Sequence, residues 1–174
     1  MRWTASLLCL CLIAAAAHGA EKLPSRPQLP VELARKAVQA ALDQCAKDGY
    51  QVSAAVVDRA GVLKAQLRAD DAGPHTIDSS RNKAYTAASL DEATSRLAKL
   101  VADNPQLAAL GHMNDSILVL GGGLPIQFDG ETVGGIGVGG APGSHLDEAC
   151  ARAGLEAIGA RPRPLGLSIS SAMT

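Results

Sequence analysis

Past residue 20 the chain carries three histidines (His75, His112 and His145), two cysteines (Cys45 and Cys150) and two methionines, of which Met113 lies within the expected domain. Imidazole is the side chain most used to bind transition metals, and a thioether can serve as an axial partner. His75 follows Pro74 in a polar loop and immediately precedes a helix that begins at Thr76. A rigid neighbour can aim such a ring at a metal; the plainer alternative is a helix-entry residue whose ring caps backbone. His112 and Met113 are adjacent in a second loop, where either could donate to a metal or simply sit at the solvent edge of the core. Arg81 and Lys83 are the cations nearest His75, suited to anionic groups. Being two apart on a helix, they do not share a face, so one reaches a ligand while the other is solvated. Tyr85 could stack on a flat ligand, but its spacing with Ile77, Ala84 and Ala88 argues for the core. His145 and Glu148 stand three apart on one helical face, a metal pair that lacks a third and fourth ligand nearby. Acidic residues in a first turn are equally explained by the helix dipole.

The glycine-rich segments could also do chemistry. Gly135, Gly137 and Gly140 formally match G-x-G-x-x-G. A dinucleotide site needs a following helix and then a parallel strand ending in an acid, and here the chain reaches its last helix. Glycines on a strand let another backbone or a flat ligand approach closely. The run from Gly121 through Gly122 and Gly123 to Pro125 could form an anion nest, without a helix behind it to add its dipole. No Ser/His/Asp or Cys/His arrangement carries a nucleophile signature, and Asp58 and Asp115 have no obvious partner.

The elements that position these groups follow from periodicity. Pro30 suits a helix start, and Leu33, Ala37, Ala40, Ala41 and Cys45 recur at helical spacing until Gly49. Residues 51–58 and 62–68 read as strands around the turn at Asp58 and Gly61, a hairpin. Helices are expected over residues 76–89 and 91–103, the second with Leu97, Leu100 and Val101 inward and ended by Asn104 and Pro105. The apolar run 117–120 predicts a strand buried on both faces. Asp129-Gly130 predicts a two-residue hairpin turn requiring positive φ. Ser144 is the expected cap of the last helix, with Leu146, Cys150, Ala153 and Ile158 inward. The order α-β-β-α-α-β-β-β-α implies an α+β layer structure with a five-stranded antiparallel sheet flanked by helices.

The ends and the composition bound the function. Arg2, an apolar run over residues 5–17 and small residues around position 19 are the pattern of a cleaved leader, residues 1–19, and of an exported, periplasmic or secreted chain. Residues 20–30 form a flexible lead with three prolines, residues 31–160 one domain, and residues 161–174 a tail expected to be mobile. Without its leader the chain has 15 basic against 17 acidic residues, which gives no electrostatic reason to bind nucleic acid or an anionic membrane. Aromatic stacking platforms are also scarce. Export permits a bridge between Cys45 and Cys150, but two buried thiols fit the sequence as well.

Five motifs fall in one order: Ala54-Ala-Val-Val-Asp58 with Gly61; Asp78 with Arg81-Asn-Lys-Ala-Tyr-Thr-Ala-Ala88; Gly121-Gly-Gly-Leu-Pro125; Gly134-Gly-Ile-Gly-Val-Gly139; and Asp147-Glu-Ala-Cys-Ala151. Together they resemble the GlcG/HbpS-like family of haem-binding proteins, also called the haem-degrading domain. The resemblance implies a profilin-like fold, haem or another planar tetrapyrrole as ligand, homo-oligomers, and in some members haem breakdown. Haem needs an axial donor, an apolar cleft, and cations for its propionates. On this reading His75 ligates the iron, His112 or Met113 supplies a second donor, and Arg81, Lys83 and Tyr85 surround the macrocycle. The cleft lies near the Thr76 helix and Gly122, Gly123 and Pro125. The rival reading is an accessory or sensor module that binds a small organic acid or a cobalamin-like ligand without haem; a third is a purely structural oligomer.

Overall fold

The computed structural model describes residues 24–161; the expected leader, residues 20–23 of the lead and all but the first residue of the expected tail lie outside the described residues. Helix α1 (Val31–Lys47) buries Ala34, Ala37, Val38, Ala41 and Cys45, an i, i+3, i+4 stripe that packs one face, and ends where Gly49 turns to φ +83°. The hairpin β1 (Ser53–Asp58) and β2 (Leu63–Arg68) follows, then α2 (Thr76–Leu90), α3 (Thr94–Asp103) and a 3₁₀ segment (Pro105–His112). The chain closes with β3 (Gly123–Phe128), β4 (Glu131–Gly139) and α4 (Ser144–Ala157). The turn between β3 and β4 is Asp129-Gly130, at φ 51° and 79°, as the hairpin signal requires.

The strands form one antiparallel sheet in the order β2-β1-β4-β3. One face carries α1 and α4 over a core of Val38, Ala54, Val56, Ile126, Ile136 and Leu155. The other face is covered by α2, which crosses β1, β4 and β3. The sheet therefore has four strands, not the five expected, within the same α+β class. The missing one is the 117–120 segment. Its Leu118 amide donates to Thr86 Oγ1 (2.8 Å) instead of to a neighbouring strand, and only Ile117 is buried while Leu120 is 46% exposed. Two smaller expectations also change. Leu100 is exposed, leaving Leu97 as the buried leucine of α3, and Gly143 rather than Ser144 occupies the cap position of α4, with no side-chain cap bond.

Cys45 of α1 and Cys150 of α4 are joined in a disulfide, with Cα atoms 5.5 Å apart and 105 residues between them in sequence. The bond ties the two helices that share one sheet face. Cross-linking so long a segment constrains the unfolded chain, so replacing both cysteines with alanine is expected to lower stability by about 2–4 kcal/mol. Urea denaturation under oxidising and reducing conditions tests this: the wild-type midpoint should drop on reduction and the double variant's should not respond. Equal midpoints for all four samples would show that the bond contributes nothing.

Candidate functional site

His75 closes the loop after β2, and the residues around it explain its position. Arg68 holds the loop by donating from Nε to the Ala72 carbonyl (2.9 Å) and from Nη2 to the Asp70 carbonyl (3.0 Å). Thr76 fixes the helix entry. Its hydroxyl donates to the Gly73 carbonyl (2.6 Å) and so accepts from Ser53 Oγ (2.7 Å), with both hydroxyl residues buried. The His75 side chain makes no cap bond. Its ring folds over Gly73, where a Cβ would come within 2.7 Å of Cε1. The imidazole is exposed and makes no hydrogen bond or ion pair among the described residues.

From His75 the outward stripe of α2 runs through Asp78, Asn82 and Tyr85 at helical spacing. Arg81 is exposed beside it, 3.9 Å from the Asp78 carboxylate. His112 ends the 3₁₀ segment rather than lying in a loop, and the loop that follows from Met113 is stapled along α2. Asn82 Nδ2 donates to the Asp115 carbonyl (3.4 Å), Asn114 Nδ2 to the Tyr85 hydroxyl (3.5 Å), and the Leu118 amide to Thr86 as above. Asn114 Oδ1 stiffens the turn by accepting the Ser116 and Ile117 amides. His112 and Met113 are both exposed. Seven residues separate His75 from Asn82, so this loop meets α2 about 10 Å along the helix axis from His75. His75 and the His112–Met113 pair stand at different heights along α2, and they line neither the cleft beside Val31 and Leu67, nor that beside Pro27 and Val133, nor that beside Ser95 and His145.

Four expected ligand contacts are corrected. Lys83 does not reach solvent: it is 2% exposed and donates from Nζ to Asp147 Oδ2 (2.8 Å) and the Val138 carbonyl (2.9 Å). Gly122, Gly123 and Pro125 are all buried, so no slot opens beside them. Lacking side chains, the glycines let the helices close over the segment. A Cβ on Gly122 would meet the Val138 carbonyl (2.7 Å) and Lys83 Nζ (3.0 Å), and one on Gly123 would overlap the Lys83 carbonyl. The same holds for β4, where a Cβ on Gly135 or Gly137 would overlap the Ala84 or Ser80 carbonyl of α2. The close approach is that of a helix backbone, not of a flat ligand. Tyr85 is half-buried, its ring laid against Gly61 of the first hairpin. His145 is exposed, while Glu148 accepts from Ser95 and Arg152; no group of three metal-ligating side chains occurs among the described residues.

Asp147 is the residue the sequence reading missed, because the helix dipole accounted for it. Its Oδ1 accepts the Ala141 amide (3.0 Å) while Oδ2 holds Lys83, so it fixes α4 to α2 and to the end of β4. Burial pushes its carboxyl above the usual carboxylate range, against the opposing pull of the Lys83 ammonium and the Ala141 amide. One signal was available. Lys83 shares a helical stripe with Thr76, Ser80, Ala84 and Ala87, all buried, so its position called for a buried partner.

A four-stranded antiparallel sheet with α2 on one face and the disulfide-tied α1 and α4 on the other defines an α+β layer domain. The chain belongs to the HbpS-like family, described as "Haem degrading protein HbpS-like", which matches residues 29–156. The crystal structure of a double mutant of HbpS from Streptomyces reticuli is 45% identical, with a TM-score of 0.73 over 82% of this chain and 97% of that one. Protein GlcG of Escherichia coli K12 is 31% identical over 63% of this chain and 80% of its own length. The crystal structure of a PduOC:Heme complex is 25% identical, with a TM-score of 0.73 over 79% of this chain and all of that one.

Proposed function

We propose that this chain is an exported haem-binding protein used in haem handling, with His75 as the axial donor to the iron. The observation that carries the reading is the exposed, unbonded imidazole at the head of α2, in a member of a family described by haem degradation and similar in fold to a haem complex. The fit to haem is good in its donor and cation and incomplete in its walls. His75 offers a nitrogen that no protein group occupies among the described residues, and Arg81 lies exposed on the helix that follows it for a propionate. Among the described residues none of the clefts named above borders His75, and this favours a homo-oligomer in which a second copy supplies apolar cover. When bound, haem would supply redox-active iron. The protein's own part is to hold the imidazole by the Arg68, Ser53 and Thr76 contacts and to keep Gly73 bare beneath the ring. Export is supported by the leader pattern and by the Cys45–Cys150 bond, which suits an oxidising compartment.

Titrating the chain from Ala20 onward with haemin tests the binding. A sharp Soret band saturating at one equivalent per chain is expected, with affinity at least tenfold weaker in His75→Ala and near wild type in His112→Ala. Circular dichroism should show both variants folded. A featureless titration of the wild type would overturn the reading and favour the accessory or sensor module. Iron release from the haem complex on adding peroxide or reductant tests whether the protein also degrades haem.

A further inference from the structure

The two edges of the sheet are treated very differently. The β3 edge is closed. Gly123 exchanges hydrogen bonds with Thr94 Oγ1, giving its amide at 2.8 Å and accepting at its carbonyl at 3.4 Å. Pro125 has no amide to offer, and the Gln127 carbonyl takes the Arg161 amide (3.2 Å) in an isolated antiparallel bridge. The β2 edge has no such cover. The Ala69 amide bonds the Val52 carbonyl (2.9 Å), so alternation turns the backbone of Ala65 and Leu67 toward β1 and that of Gln66 outward, up to a register shift at Lys64. Leu63 and Leu67 are each 43% exposed, and no further strand pairs with β2 among the described residues. Beside this edge runs an open cleft of about 800 Å³ between β2 and α1, walled by Val31, Lys36, Gln39, Lys64, Ala65 and Leu67. Unpaired edges of this kind template the addition of another strand.

The chain carries a sequence suited to that edge. In residues 165–170, Leu165, Leu167 and Ile169 alternate with Gly166, Ser168 and Ser170, with no charge and no proline. This is the period of a strand with one apolar face. We propose that residues 165–170 of one copy add to the β2 edge of a second copy, with the three apolar side chains in the cleft beside α1 and the glycine and serines toward solvent. The facing agrees with the strand pairing: Ala65 and Leu67 lie opposite Val56 and Ala54, on the α1 side of the sheet.

Reach requires the second copy. Arg161 sits outside β3, so a strand added to β2 of the same chain lies five strand spacings away, about 24 Å. Leu165 is four residues further along and extends at most ~14 Å from Arg161. The chain's own tail therefore cannot lay Leu165 on its own β2.

Sedimentation velocity on the chain from Ala20 to Thr174 tests the proposal with two variants, one ending at Pro164 and one carrying Leu67→Glu. The first keeps the edge and loses the strand. The second keeps the strand and sets a charge on an exposed position of the cleft, where the apolar side chains of the added strand would lie. Each variant alone should self-associate at least tenfold more weakly than the parent, and mixing them should restore association. A labelled peptide of residues 161–174 should bind the chain ending at Pro164 and be lost with added Leu67→Glu, which keeps the test decisive if Leu67→Glu behaves poorly in the longer chain. A monomeric parent, an unchanged mass on removing the tail (edge-to-edge pairing or another interface), or a mixture that stays apart would each overturn the proposal. Self-association is measured without haemin, so failure here is separable from failure of haem binding.

Discussion

Replacing Lys83 with methionine should destabilise the fold by about 3–5 kcal/mol, because it leaves a carboxylate buried without its cation. Asp147 would keep only the Ala141 amide, and the Val138 carbonyl would lose its partner. The pH dependence follows from Asp147. Its carboxyl titrates higher in the fold than in the unfolded chain, so between those two values the folded state holds the extra proton and stability falls as pH rises. Removing the ammonium moves the folded value further up and widens that window. The deficit of Lys83→Met should thus be largest near neutral pH and shrink on acidification. Adding Asp147→Leu should recover most of the loss, since an apolar pair can replace a buried ion pair. Urea midpoints of the two single variants and the double variant across acid to neutral pH check this; a Lys83→Met midpoint equal to wild type at neutral pH would refute it.

The second large effect is expected at Gly137. An added methyl there would lie far inside contact distance of the Ser80 carbonyl, in a helix backbone that has no rotamer to change. To admit it, α2 must lift from β4, breaking the contact that also seats Lys83 and the His75 loop. Gly137→Ala should cost about 3 kcal/mol or more, the upper end of overpacking. Gly49→Ala is the informative control. Nothing lies within 4 Å of a Cβ at that site, so only its φ of +83° is penalised, by roughly 1–2 kcal/mol. Thermal melts of both should separate the crowded glycine from the merely twisted one. Similar losses in the two would mean that crowding under α2 is not what fixes Gly137.

The sequence was most legible where one local rule governs. The Asp129-Gly130 turn, the α1 stripe from Ala34 to Cys45, and the order of five motifs each rest on a short-range signal that the fold obeys. It was misleading where burial depends on a partner far along the chain. Residues 117–120 are apolar enough for a central strand, yet Thr86, distant in sequence, captures the Leu118 amide and keeps the segment off the sheet. Lys83 reads as a solvated cation until Asp147, 64 residues away, is placed against it. The glycines at positions 135 and 137 were legible as sites of close approach, but not what approaches: periodicity marks an absent side chain and is silent on the neighbour. Of the candidate site, the loop that presents His75 was foreseeable from Pro74 and Thr76. The Arg68 and Ser53 contacts that hold it were not, since both arise from the β1–β2 hairpin.

The bond between Cys45 and Cys150 has a bearing on resistance to proteolysis. It encloses every loop from the first hairpin to the start of α4 within a single covalent ring. A protease that clips one of those surface turns yields two pieces that stay tethered, with α1 and α4 still gripping the same sheet face, so a nicked molecule can persist as a working one.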